Sequence, residues 1–156
     1  MDWRHLAADP LSSFPSRMSR PLPTGDDPPL LCRPLSSGHG LAVVTGGAGF
    51  IGSPPDELLL ERDVAGHVLD HLSTGRLATL GAGHPKLTVT IASAADAKVA
   101  ERVCRAADVV FHLAGVVGVR RLAEEPLAVM QANLHSTEAI LNACAQSDTP
   151  VLVTSS

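Results

Sequence analysis

Three glycines, Gly46, Gly49 and Gly52, follow the β-branched run 41–45 at three-residue intervals in "TGGAGFIGS". Glycine there permits a tight turn and lets an anionic group approach backbone N–H donors. An acid, Asp70, closes the next apolar run, "GHVLD" at 66–70. A strand, a glycine turn, a helix-length segment and a second strand ending in a carboxylate match a dinucleotide site. The pyrophosphate would lie on the turn and the adenosine ribose hydroxyls would donate to the acid. A P-loop is disfavoured because no Gly-Lys-Ser/Thr follows.

The residues after the turn compete with it. A helix opened near Ala48 would carry Pro54 and Pro55 in its second turn, at a cost of about 3 kcal/mol each. "SPPDE" at 53–57 reads instead as its own helix start. Ser53 would be the N-cap, proline would fill the first turn, and Asp56 and Glu57 would favour the positive end of the dipole. A start about five residues late moves the helix end roughly 7 Å from a pyrophosphate. A kinked or two-piece helix with weakened dinucleotide affinity is the expectation.

Positioning these residues requires a sheet. Strands are expected at 41–45, 66–70, 87–91, 108–113 and 150–154, alternating with helix-length segments, the pattern of successive βαβ units. The clearest helices are 95–106, with Val99, Val103 and Ala106 inward, and one within 121–146, with Leu134, Ile140, Leu141 and Cys144 inward. The fold class is therefore α/β, a Rossmann-type doubly wound parallel sheet of about five strands in the order 3-2-1-4-5. Seven of the 12 prolines fall in residues 1–34, without helix or strand period, so 1–39 is expected to be a disordered Pro-rich extension and 40–156 the folded domain.

Composition narrows the partners. A net charge of −4 with no basic run argues against nucleic acid. No apolar stretch approaches the roughly 20 residues of a membrane helix, and the N-terminus lacks a signal peptide's apolar core. A cytoplasmic protein is expected. Cys32, Cys104 and Cys144 are odd in number and widely spaced, which suits free thiols and no metal site.

With these residues in place, "TGGAGFIGS", "VLDHLSTG", "ADVVFHLAG", "VGVRRLAEEPL", "NLHSTEAILNAC" and "PVLVTSS" together resemble the extended short-chain dehydrogenase/reductase family. The likeness, over residues 41–156, is to its NAD-dependent nucleotide-sugar epimerases, dehydratases and decarboxylases. It implies NAD as cofactor, with a nucleotide sugar as the partner of full-length relatives and a homodimer among the assemblies. By resemblance, Gly46, Gly49, Phe50, Ile51 and Gly52 form the pyrophosphate turn. Asp70 is the ribose acid, with Leu72 beside the adenosine. Leu113, Ala114 and Gly115 line the dinucleotide, Gly115 in place of the more usual alanine, and Asn133 matches the asparagine of "NVxGT". Ser156 falls where the family keeps its catalytic Ser or Thr.

The departures are specific. His71 stands where Asn is common and Ser93 where an aspartate usually meets the adenine, so both weaken the adenine end. The family's catalytic Tyr-x-x-x-Lys is not present, and the sequence contains no tyrosine. That tyrosine is the base of hydride transfer. The chain is thus expected to be the cofactor half, truncated before the substrate subdomain and inactive by itself. A non-catalytic nucleotide-binding or interaction module is the alternative. Among residues with a blander reading, His112 is expected to be a packed strand-end histidine, Arg120 and Arg121 a solvated helix start, and Glu124 and Glu125 a solvated turn before Pro126.

Overall fold

The computed structural model describes residues 40–80 and 84–154. The segment 1–39, with its expected disorder and Cys32, and residues 155–156, including Ser156, lie outside the described residues. Five strands alternate with helices along the chain. They are β1 (Leu41–Thr45), α1 (Ser53–Glu61), β2 (Ala65–Asp70), β3 (Leu87–Ile91), α2 (Ala97–Arg105), β4 (Val109–His112), α3 (Val119–Glu124), α4 (Pro126–Ser147) and β5 (Val151–Val153). All pairings are parallel and the order is β3-β2-β1-β4-β5, the doubly wound order expected from the βαβ alternation. The fold is Rossmann-like.

Register brings the strands' carboxyl ends to one edge, with Thr45 beside Leu69 and His112, Asp70 beside Ile91, and His112 beside Val153. The central strands β2, β1 and β4 are largely buried, as the interior of a parallel sheet demands, while the edge strands β3 and β5 are partly exposed. On one face Val43, Leu69 and Val110 pack with Ala100, Val103 and Cys104 of α2 and Ile140, Ala143 and Cys144 of α4. On the other, Ala42 and Val44 meet Leu59 of α1 and Val64, while Val68 meets Ala48 and Leu80. Cys104 and Cys144 are free thiols. A hydrogen bond donated to Cys144, together with burial, pushes the Cys104 thiol up.

Three expectations are corrected. First, α1 is one helix of nine residues, neither kinked nor in two pieces. It begins late, at Ser53, so Pro54 and Pro55 fall in the first turn, where a missing N–H breaks no helical hydrogen bond. Second, Gly52 is the N-cap and Ser53 the first helical residue, with no side-chain cap bond. Third, the inward faces differ. Ala106 of the expected 95–106 helix is exposed, while Ala100 and Cys104 are buried. Leu134, 65% exposed, and Leu141 point outward, while Val129, Ser136, Ile140, Ala143 and Cys144 face in. Helix α4 carries apolar residues on several sides, so packing selects the stripe of small residues that lets it approach α2.

Candidate dinucleotide site

The turn between β1 and α1 is built from close backbone contacts. Gly46 has φ +72°, and a methyl group added to it would lie 2.9 Å from the Cα of Ala114. At Gly52 such a methyl would meet the Gly46 carbonyl oxygen at 2.3 Å, and at Gly49 the same oxygen at 3.1 Å. Gly46 N donates to Leu69 O (2.8 Å), Gly49 N to Gly46 O (3.0 Å) and Ser53 N to Gly49 O (3.1 Å). Among the described residues, these bonds leave the N–H groups of Phe50 and Ile51 unengaged, on residues 95% and 70% exposed at the tip.

The late start of α1 limits what the helix end can offer. Of its first N–H groups, Ser53's is taken by Gly49 O, and Pro54 and Pro55 have none. The N–H groups exposed here belong to the turn more than to the helix.

Asp70, at the end of β2, closes over this turn. Its Oδ2 accepts from Ala48 N (3.0 Å) and its Oδ1 from Leu72 N (2.7 Å), and it is 8% exposed. Leu72 adopts the left-handed φ of +58°, a sparsely populated conformation for a branched side chain, and that geometry aims its N–H at the acid. Gly75 packs against Ala48, where a methyl would meet Ala48 O at 2.8 Å, and Arg76 N donates to Ala48 O (3.1 Å).

The loop after β4 forms the opposite wall. Leu113 N donates to Thr45 O (3.2 Å), and Ala114 N to Thr45 Oγ1 (3.1 Å). Thr45 Oγ1 also lies 2.8 Å from His112 Nδ1, and His112 Nε2 lies 3.2 Å from Thr137 Oγ1, so both ring nitrogens are hydrogen-bonded. Burial lowers the His112 pKa, consistent with this neutral, bonded ring. His112 is the packed strand-end histidine expected. Asn133 of α4 holds the loop by both ends of its amide, Oδ1 accepting from Val116 N (2.6 Å) and Nδ2 donating to Val116 O (3.0 Å). A methyl at Gly115 would still be 3.7 Å from Asn133 Oδ1, an ordinary contact. Arg120 pairs with Glu124 (2.9 Å) on an exposed face, the solvated arrangement expected.

The structure thus gathers Gly46, Gly49, Phe50, Ile51, Gly52, Asp70 and Leu72 on one side of the sheet edge, and Leu113, Ala114, Gly115 and Asn133 on the other. Sequence reasoning missed Thr45, whose signal was a hydroxyl at the strand's last residue, and Gly75, whose signal was a glycine in the following loop. Asp56 lies in the first turn of α1 as expected, and the structure adds that it is buried there, beside Val68 of β2.

A parallel sheet in this order, with a glycine turn after β1 and an acid closing β2, defines the dinucleotide-binding class of α/β folds. Residues 42–156 match the model of the NAD dependent epimerase/dehydratase family, and the chain belongs to that family. It is 32% identical over 117 residues to a UDP-N-acetyl-alpha-D-glucosaminuronate decarboxylase of Bacillus cytotoxicus, covering 72% of this chain and 35% of that protein. It is 33% identical over 116 residues to a UDP-glucose 4-epimerase of Azospirillum brasilense, covering 73% and 32%. The Thermus thermophilus UDP-glucose 4-epimerase, solved in complex with NAD, matches with a TM-score of 0.63 at 33% identity, covering 70% of this chain and 35% of that one. The chain spans about a third of the length of the curated relatives it matches. Among the described residues no helix is long and apolar enough to cross a membrane.

Proposed function

We propose that residues 40–156 are the NAD-binding domain of a nucleotide-sugar epimerase or dehydratase. The observation that carries this reading is the turn itself. Side chains are excluded at Gly46 and Gly52 by backbone within 3 Å, and the Asp70 carboxylate is fixed 3.0 Å from Ala48 N. In this reading Gly46, Gly49, Phe50, Ile51 and Gly52 hold the pyrophosphate. Asp70 accepts from the ribose hydroxyls, with Leu72 beside the adenosine. Leu113, Ala114 and Gly115 line the dinucleotide, and Asn133 fixes the loop behind them. NAD, when bound, supplies a hydride acceptor for a sugar carbon. Ser156 orients the hydroxyl of that carbon.

These residues bind and orient; none is a tyrosine, so they do not supply the family's tyrosine base. That composition favours a second reading, a nucleotide-binding module without catalysis of its own. Both readings place NAD on the same turn. A cytoplasmic setting, a nucleotide-sugar partner, no nucleic-acid partner and a homodimer belong to the first. Exposed Leu127, Met130 and Leu134 on α4 support the dimer, which sedimentation would test.

Calorimetric titration with NAD and with its 2′-phosphorylated form, at one salt concentration, tests the site. NAD is expected to bind more tightly, because Asp70 repels a 2′-phosphate. Binding of neither sinks the proposal, and equal or tighter binding of the phosphorylated form removes Asp70 from its role. Incubation with NAD and UDP-, GDP- and dTDP-sugars is expected to give no turnover. Turnover abolished by Ser156→Ala would show that catalysis proceeds without a tyrosine.

A further inference from the structure

Asp56 is the most anomalous polar group among the described residues. It lies in the first turn of α1, only 2% of its surface is exposed, and neither carboxyl oxygen has a hydrogen-bond partner. Its position is directly beneath the glycine turn. A methyl built on Gly47 would lie 2.7 Å from Asp56 Oδ2 and 2.8 Å from a Val68 γ-carbon, so the carboxyl is wedged between turn and sheet.

Among the described residues, the elements around it give it no ion-pair or hydrogen-bond partner. Their ionisable groups are Glu57, Glu61 and Arg62 at α1, His67 and Asp70 on β2, and His71 and Arg76 in the segment that follows; β1 and the turn carry none. Asp70 is engaged by Ala48 N and Leu72 N, and His67 by Thr90 Oγ1. A neutral carboxyl tolerates such a place. A carboxylate does not, and gains water only by displacing the turn or the first turn of α1.

We propose that Asp56 is a proton-operated latch beneath the glycine turn: neutral, it supports the turn in its phosphate-accepting shape, and ionised, it displaces the turn and weakens its hold on an anionic dinucleotide. The affinity part of this inference rests on the NAD-binding reading above. Burial raises the Asp56 pKa to about 7, which places the transition in the neutral range. Asp56 Oδ2 lies 2.7 Å from where a methyl on Gly47 would be, so a phosphate held by hydrogen bonds of about 3 Å on the same turn is on the order of 7 Å from the carboxyl. A unit charge at that distance from a doubly charged pyrophosphate, in water-like surroundings, corresponds to a roughly tenfold change in Kd.

The test uses the full chain at constant ionic strength. The Kd for NAD is measured from pH 5.5 to 8.5 for the wild type and for Asp56→Asn, with Asp56→Val as the replacement should the Asn variant not fold. In parallel, the Asp56 carboxyl carbon and the Gly47 and Ala48 amides of the wild type are titrated by NMR. Expected are a wild-type Kd that weakens about tenfold with a midpoint near pH 7, a flat Kd in the variant equal to the wild type's low-pH value, and Gly47 moving with the Asp56 midpoint. A flat wild-type Kd, a slope kept by the variant, an Asp56 midpoint below pH 5, or a Gly47 amide that does not follow Asp56 each overturns the latch. Should NAD bind at no pH, the NAD-binding reading falls and the NMR titration alone decides whether Asp56 moves the turn.

Discussion

Replacing Asp56 by Asn should change not only the stability of the domain but the dependence of that stability on pH. In the folded chain burial raises the Asp56 pKa from 3.8 to about 7. A raised carboxyl pKa means that the folded state holds the proton more tightly than the unfolded state. The associated stability is therefore complete below about pH 4, falls as pH rises toward 7, and is flat above. At about 1.4 kcal/mol per unit, the full span is about 4 kcal/mol, of which about 3 kcal/mol lies between pH 5 and pH 8. That is a large part of a typical domain stability of roughly 5–15 kcal/mol. The positive end of α1 offsets ~0.5 kcal/mol of it, too little to reverse the sign.

The assay is urea unfolding of both proteins at pH 5 and pH 8. His67 and His112, whose pKa values burial lowers, titrate in both proteins and cancel in the difference. A buried, unpartnered Asn amide carries its own cost of ~1–3 kcal/mol, the same at either pH. The Asn variant should therefore gain about 3 kcal/mol relative to wild type on going from pH 5 to pH 8. Parallel stabilities, within ~0.5 kcal/mol at both values, would refute the reasoning, because they would mean that ionised Asp56 finds solvent or a partner without disturbing the fold.

Three further outcomes follow from the geometry. Gly52→Ala should destabilise by ~3 kcal/mol or more and abolish NAD binding, since the new methyl falls 2.3 Å from a backbone oxygen, whereas Gly115→Ala should change stability by less than ~0.5 kcal/mol; calorimetry compares them. Asn133→Ala should cost about 1–3 kcal/mol and raise hydrogen exchange at the Val116 amide, because both bonds of the side chain go to Val116; unchanged exchange would contradict the clamp. Restoring two N–H groups to the first turn of α1, with His and Leu for Pro54 and Pro55, should tighten NAD binding by about two- to fivefold in calorimetric titration, and an unchanged Kd would show that the turn alone sets the affinity.

Much of the fold was legible because its signals are local. The runs 41–45 and 87–91 are strands to the residue, and those at 66–70, 108–113 and 150–154 differ from the observed strands by one or two residues. β-Branched content and flanking turns decide such segments whatever packs on them. Strand order followed from the alternation of strands and helices under right-handed crossovers. The late start of α1 was readable too, since Pro54 and Pro55 constrain the backbone within their own few residues.

The sequence by itself therefore determined the parallel sheet, the glycine turn with Asp70 beside it, and the helix start favoured by "SPPDE" after the turn, because each depends on steric and hydrogen-bonding preferences of near neighbours. Tertiary structure alone decided how each helix is rotated about its axis. That rotation put Asp56 under the turn, Leu134 and Leu141 in solvent, and Ser136 and Ala143 in the core. It also turned the Asn133 amide onto Val116. Rotation answers to the shape of the surface a helix packs against, and residues distant in the chain supply that surface.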